Sequence, residues 1–460
     1  MHDRHGDTLG GIGSSVAIEQ ESWKKNEDGT YSGIAWCLPD RGWNRDGTLN
    51  FQNRVHKIGL KLTLKLNASA EHPSDKNLEL EYLDTILFTG PDGTPTTSLD
   101  ADVSGSCLSY DGFPELPTAT YPGDGFGSDG PVNRRVAVDC ESLGLGPDGT
   151  FWIGDEYGPY IYQFSQDGKM LRAIRPPDAY IPHRNDKVSF SSASPPIYDK
   201  KRVIEPEKPE SGRNNNQGFE GLSISHDGKM LYALLQSALA QEGGKKKKTR
   251  RQTRLIVYDI SDPGRIEYVQ EHIVSLPLCK EHDGDKVVAG NSDILHIKGN
   301  QLLILARDSD AGGGSEETLS LFRQIDIFDI SNATNIKSDH YDKKGGAIAN
   351  EKGDLLNDIV PAQYFPFINI NDSSELARFK LHNGGDHDSG LLNEKWESLG
   401  LVPVDAENSN NGKDYFLFCL SDNDFITQHG RMNFGKFEYA DSSGYELDNQ
   451  VLVFHLTLPT

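Results

Sequence analysis

No stretch of this 460-residue chain approaches the roughly 18 consecutive apolar residues of a membrane-spanning helix. Positive charge is also scarce: 46 Lys and Arg stand against 69 Asp and Glu, a net charge of −23. That balance argues against nucleic acid and anionic membranes as partners and leaves room for cations. There are five cysteines, at Cys37, Cys107, Cys140, Cys279 and Cys419. None makes a C-x-x-C pair, so a zinc site is not indicated. An odd count permits at most two disulfides with one thiol left over. The chain has no G-x-S-x-G elbow, no H-E-x-x-H and no Walker A loop. A serine nucleophile elbow, a zincin and a P-loop are therefore unsupported.

Helical periodicity is equally hard to find. Short runs rich in Val, Ile, Leu, Phe and Tyr are cut by Asp-Gly, Asn-Gly and Gly-Asn pairs, the pattern of β-hairpins. A weak repeat links them. Residues 141–156 read ESLGLGPDGTFWIGDE, 220–236 read EGLSISHDGKMLYALLQ, and 397–423 begin ESLGLVPV with a longer turn. Residues 291–308 and 11–41 carry the same strand, turn and apolar strand. Successive units lie roughly 70–90 residues apart, room for one four-stranded sheet with its loops. The expected fold is all-β, a β-propeller of about six blades of four-stranded antiparallel sheets in one domain over residues 1–460. Stretch 70–135 shows no clear unit. Two loop insertions are expected. One lies near 195–217 and is proline-rich and polar. The other lies near 243–254, GGKKKKTRRQTR, and is either an anion- or surface-binding loop or a solvated hairpin tip.

The open ends of the hairpins carry the chemistry. A two-residue turn at Asp148-Gly149 places Glu141 opposite Glu156, with Asp155 beside them. Carboxylates so close share a proton or hold a cation. Other units bring Asp40 with Arg41, Glu220 with Gln236, Asn291 with Asp308, and Glu397 with Asp422 and Asn423 to the same end. Acidic oxygens with a few amides suit a hard cation, best Ca²⁺. We expect Glu141, Asp155, Glu156, Asp308, Asp422 and Asn423 as ligands of that ion. Glu220 and Glu397 are expected beside it to activate a water, and Arg41 and Arg307 to stabilise negative charge. The opposing expectation is structural, with the glutamates tying neighbouring sheets through backbone N–H groups. The loop HNGGDHDSG (382–390) reads as a polar glycine-rich connection or a metal or acid–base cluster around His382, Asp386, His387 and Asp388. Asp308 and Asp310 open a poor match to an EF-hand loop, with Leu319 where the bidentate Glu belongs. Sequons at Asn67, Asn332 and Asn371 are candidate glycosylation sites.

At these residues the chain resembles the phytase-like, or esterase-like, secreted propeller family of bacteria and fungi, most closely its fungal branch. The stretches that carry the resemblance are GDTLGGIGSS (6–15), LPDRGWN (38–44), residues 141–177 with DEYGP after the hairpin, NQGFEGLSISHDGKMLYALLQ (216–236) and KWESLGLVPV…LFCLSDNDF (395–425). The resemblance implies a propeller and a secreted protein. The polar, charged opening MHDRHGD shows no leader, so a signal peptide is expected to have been removed before residue 1. The expected activity is a metal-dependent hydrolase of a phosphate ester, carboxylic ester or lactone, acting as a monomer on a small anionic or ester substrate. Its alternatives are a non-catalytic, Ca²⁺-stabilised propeller binding a glycan or protein, and a lactonase resembling the gluconolactonase propellers. Few Lys and Arg stand near the expected mouth, which argues against phytate itself.

Overall fold

The computed structural model describes residues 1–309, 311–405 and 413–458. Asp310 and most of the long turn of the 397–423 unit lie outside the described residues. The chain is all-β, built of small antiparallel sheets. Five of them carry the architecture. Sheet I holds strands Ser15–Ile18, Tyr31–Leu38, Arg54–Leu62 and Leu78–Leu87, with the short Lys24–Lys25 pairing on Tyr31–Leu38. Sheet II holds Cys140–Leu145, Phe151–Asp155, Ile161–Phe164 and Met170–Ile174. Sheet III holds Phe219–Ile224, Met230–Leu235, Gln252–Asp262 and Arg265–Ser275. Sheet IV holds Gly290–Lys298, Gln301–Arg307, Arg323–Asp329 and Gln363–Asn369. Sheet V holds Lys395–Pro403, Asp414–Asp422 and Val451–Thr457.

The first strand of each sheet is its inner strand. That of sheet I packs against those of II and V, II against III, III against IV, and IV against V, so the five close a ring. Each seam has its own apolar cluster. Leu38, Val55 and Leu143 fill the seam of I and II, and Trp152, Phe219 and Leu222 that of II and III. Leu234, Ile294 and Ile304 fill the seam of III and IV, Leu303, Trp396 and Leu399 that of IV and V, and Val16, Trp23 and Phe418 that of V and I. Where about six sheets were expected, five share this ring. They are the five that carry the sequence repeat. The region without a unit supplies Leu78–Leu87 to sheet I and then forms a three-stranded sheet of Cys107–Leu108, Leu116–Pro122 and Val132–Val136. Its Leu116, Ala119 and Val136 add to the cluster between sheets I and II.

Side-chain bonds stitch the seams. Leu143 N–H donates to Ser15 Oγ at 2.9 Å, His296 N–H to Ser223 Oγ at 2.9 Å, and Leu399 N–H to Asp293 Oδ2 at 2.8 Å. Serines and an aspartate thus do the tying that sequence reasoning offered to glutamates. At the N-terminus, buried Arg54 reaches Asp3 at 2.7 Å and Asp7 at 2.8 Å, fixing the segment before the first strand. The five cysteines are all free thiols, in five separate strands.

The two insertions are more built-in than their composition suggests. In 195–217, Arg213 is fully buried and donates to the Tyr157 carbonyl at 3.0 and 2.8 Å. In 243–254, Arg254 lies buried between Glu242 and Glu271. Lys247 and Lys248 pair with Glu281 and Asp285 on a neighbouring hairpin. Of the sequons, Asn67 and Asn332 are exposed. The Asn371 amide already donates to the Ser320 carbonyl and hydroxyl, at 3.2 Å each.

Candidate functional site

The turn of the 141–156 hairpin holds three residues, Pro147-Asp148-Gly149, not two. Gly149 N–H donates to Gly146 O at 2.9 Å and Gly146 N–H to Thr150 O at 2.8 Å. Gly149 sits at φ +77°, which closes this turn as glycine does best. The extra residue moves the register by one: Leu145 pairs with Phe151 and Ser142 with Gly154. A second shift then sets Cys140 opposite Asp155 and leaves Glu141 in a β-bulge. Glu141 is therefore not opposite Glu156 in the ladder. The bulge lifts it out of the ladder and re-aims its side chain.

The same device recurs. Register shifts leave Glu220 unpaired in sheet III, Ser292 in sheet IV and Glu397 in sheet V. All lie at the start of an inner strand. The three glutamates converge as a result: Glu220 is near enough to raise the proton affinity of Glu141, and Glu397 that of Glu220. Ends of second strands bring up the rest. Glu156 follows that of sheet II, Gln236 that of III, Arg307 ends that of IV, Asp422 ends that of V, and Asp40 follows that of I. Segment 214–218 passes so close to Glu156 that a Cβ on Gly218 would lie 2.5 Å from the Glu156 Cα, so only glycine fits this crossing.

Two groups of three carboxylates result, each with ligand atoms within 4.8 Å of one another: Asp139, Glu141 and Glu156, and Asp40, Asp422 and Asp424. Their electrostatics differ. In the second, Lys395 Nζ sits 2.7 Å from Asp424 and 3.8 Å from Glu397, so an ammonium already occupies the place of a cation. Burial would push the Asp424 carboxyl up, but Lys395 outweighs it and holds the pKa below the usual range. Asp422 also accepts Ser14 Oγ at 2.6 Å and Asp424 N–H at 2.7 Å.

In the first group the only ion-paired cation among the described residues is Arg41, whose Nε lies 3.3 Å from Asp139 Oδ2. Burial pushes Asp139 up to about 8, and Glu141 and Glu156 well above the carboxylate range, with like charges adding. Glu220, adjoining Glu156 closely enough to share a proton, is raised by burial to about 8. Among the described residues, and apart from a proton shared with Glu220, no hydrogen-bond donor reaches either oxygen of Glu156, Asp139 Oδ1 or Glu220 Oε2. Asn291, 1 % exposed, has neither amide atom partnered. It lies over Gly221, where a Cβ would stand 3.0 Å from its Nδ2. Buried oxygens left without donors are costly, and the costs here fall on one spot.

Other expected residues sit nearby in different roles. Asp155 accepts the N–H groups of Asp139 (2.9 Å), Tyr157 (2.8 Å) and Gly158 (2.9 Å). It positions the turn that presents Asp139 and Glu156. Asp308 accepts Ser320 Oγ at 2.7 Å and the N–H groups of Leu321 and Phe322 at 2.6 and 3.1 Å. Asn423 accepts Gly11 N–H at 2.9 Å and donates to Leu447 O at 2.8 Å. Arg307 is clamped by Glu397 at 2.5 Å. In the 382–390 loop, His382 pairs with Asp388 at 2.9 Å, on the exposed surface. Sequence reasoning missed Asp139, Lys395 and Asp424. The first two had a signal: each stands two residues before a bulged glutamate of the repeat.

A crevice of about 280 Å³ opens beside the centre, with Gln236, Asn291 and Arg307 on one wall and Arg250 and Lys280 on another. A second, of about 320 Å³, lies beyond Arg41.

A family model described as phytase-like, esterase-like activity of phytase, matches residues 32–425. An uncharacterized secreted protein of Arthroderma benhamiae is 56 % identical over 437 residues, covering 93 % of this chain and 85 % of that protein. Among solved structures, the periplasmic gluconolactonase of Pseudomonas aeruginosa is 13 % identical, covering 96 % of this chain and 88 % of that one, with a TM-score of 0.29. A luciferin-regenerating enzyme is 12 % identical, covering 98 % and 92 %, also with a TM-score of 0.29.

Proposed function

The chain belongs to the phytase-like family, and from that premise we propose that it is a secreted, metal-dependent hydrolase of an ester or lactone, built as a closed five-bladed propeller. Secretion is supported by the secreted relative. The observation that carries the metal is the set of buried oxygens without donors at Asp139, Glu156 and Glu220, beside the unpartnered amide of Asn291. All-oxygen donors with no His or Cys fit a hard cation, and Ca²⁺ best. Asp139, Glu141 and Glu156 would hold it, with Asn291 completing the set. The Lys395 group already carries an ammonium against Asp424 and is the weaker place for an ion.

A bound dication supplies an activated water at neutral pH and polarises an ester oxygen. The chain's own groups do the rest. Glu220, with its proton affinity near neutral, is matched to take or give a proton beside the centre. Arg307 and Arg41 face the negative charge that develops on the scissile group. Glu397 holds Arg307 in place, and Asp155 fixes the turn beneath Asp139 and Glu156.

Calorimetric titration of Ca²⁺ into metal-stripped protein, paired with a panel of carboxylic esters, lactones and phosphate esters, tests this. We expect one ion per chain, and turnover of one panel class that is lost with the ion and in Glu156→Gln. Turnover indifferent to metal removal would overturn the proposal. An ion bound with no turnover on any class would replace it with the Ca²⁺-stabilised binding module.

A further inference from the structure

The basic insertion is pinned where it meets the centre. Ala238 N–H donates to Arg250 O at 3.1 Å, Leu276 N–H to Arg251 O at 2.9 Å, and Val288 N–H to Lys247 O at 2.9 Å. The backbone around Arg250 is thus held against the rim of sheet III and the adjoining Leu278–Lys280 hairpin. The 280 Å³ crevice between sheets III and IV is lined by this segment and, across from it, by Asn291 and Arg307.

Two of its cations have no acid in direct contact. The three acids on its wall are occupied: Glu281 by Lys247 at 3.3 Å, Glu317 by the Leu319 N–H at 2.9 Å, and Asp308 by three donors. Among the described residues no carboxylate comes within 4.0 Å of Arg250 or Lys280. The Arg250 Nε is buried with no hydrogen-bond partner. A half-buried guanidinium whose Nε has shed water and gained no hydrogen-bond partner is unfavourable unless something else supplies oxygens.

We propose that this crevice is an anion subsite, in which Arg250 and Lys280 hold a phosphate or carboxylate carried by the substrate while the bond to be cleaved lies at the acidic centre. The inference rests on the hydrolase reading for its purpose, but not for its test. Arg307 lines the crevice and acts on Glu220 at the acidic centre, so it marks the boundary between the held group and the reacting one. The substrate class that follows is an ester or lactone bearing a separate anionic group.

The test is calorimetric titration of inorganic phosphate, and separately of acetate, into the full-length protein at constant ionic strength. It is repeated in Arg250→Gln and in Lys280→Gln, an exposed position whose variant keeps the test open if the first fails to fold. We expect saturable binding of at least one anion, weakened tenfold or more in Arg250→Gln and threefold or more in Lys280→Gln. The tighter of phosphate and acetate names the group. Ca²⁺ affinity should stay within twofold in both variants. No saturable binding of either anion, or equal binding in wild type and variants, would overturn the subsite. Anion binding that depends on Arg250 in a protein that takes up no Ca²⁺ would instead keep the subsite and remove the metal centre.

Discussion

Metal-stripped protein should lose stability as pH rises through the neutral range, the reverse of the usual acid lability of paired carboxylates. Asp139 and Glu220 bind a proton up to about pH 8 in the fold because they are buried among like charges, whereas in the unfolded chain they release it near pH 4. Between those values the folded state holds more protons than the unfolded one, so its stability falls with pH. From pH 7 to 8.5 each of the two groups contributes a loss of about 1 kcal/mol. Glu141 and Glu156, raised by the same burial and like charge, add to the fall in the same sense. Buried neutral histidines such as His56 act in the opposite sense, but the unfolded histidine is already mostly neutral at pH 7, so each adds about 0.2 kcal/mol at most. Asp139 and Glu220 alone amount to about 2 kcal/mol, or roughly 2 °C in Tm for a chain this long. Thermal melts of stripped protein at pH 7 and 8.5 and matched ionic strength measure it. Saturating Ca²⁺ should abolish the fall, since the ion displaces those protons. A stripped Tm that is flat or rises across the window would refute the electrostatic picture of the centre.

Two further outcomes follow. Arg54→Met strands Asp3 and Asp7 as buried, unpaired carboxylates and should cost about 3–5 kcal/mol, read as a shift in the urea midpoint. Lys395→Met removes the ammonium from the Asp40, Asp422 and Asp424 group, and calorimetry should then find two Ca²⁺ per chain instead of one; an unchanged count would show that this group is no latent cation site.

Much of this was legible in the residues. The E-S-L and E-G-L starts of three units marked three inner strands, and their glutamates do converge. The apparent count of six came from dividing length by repeat spacing, which takes extra layers for sheets. Residues 107–136 form a cap over sheets I and II, and the 195–217 segment contributes Arg213 as a buried brace. Register was misjudged for a local reason: Pro147-Asp148-Gly149 closes a three-residue loop, so the two-residue reading slipped the ladder by one. A bulge at Glu141 then restored the neighbourhood of Glu156 by a route that no pattern of alternation encodes. Asp155, Asp308 and Asn423 looked like ligands because sequence shows a carboxylate or amide but not which backbone N–H groups it accepts.

The position two residues before the bulged glutamate decides what each part of the mouth can hold. It is Asp139 in sheet II, Gly218 in sheet III and Lys395 in sheet V. The acid in sheet II adds a negative charge to Glu141 and Glu156. The glycine in sheet III adds none, and its missing side chain lets the 214–218 segment cross Glu156. The lysine in sheet V carries its own positive charge to Asp424 and Glu397. One repeated backbone device thus presents three similar glutamates, and a single neighbouring residue sets the charge around each. The acidic excess is greatest on one side of the ring, next to the unpartnered amide of Asn291; on the far side Lys395 offsets Asp424, while burial and like charge still raise Asp40 to about 7 and Asp422 well above the carboxylate range. A strictly repeated ring would offer a cation several equivalent places; this one singles out the side of sheets II and III.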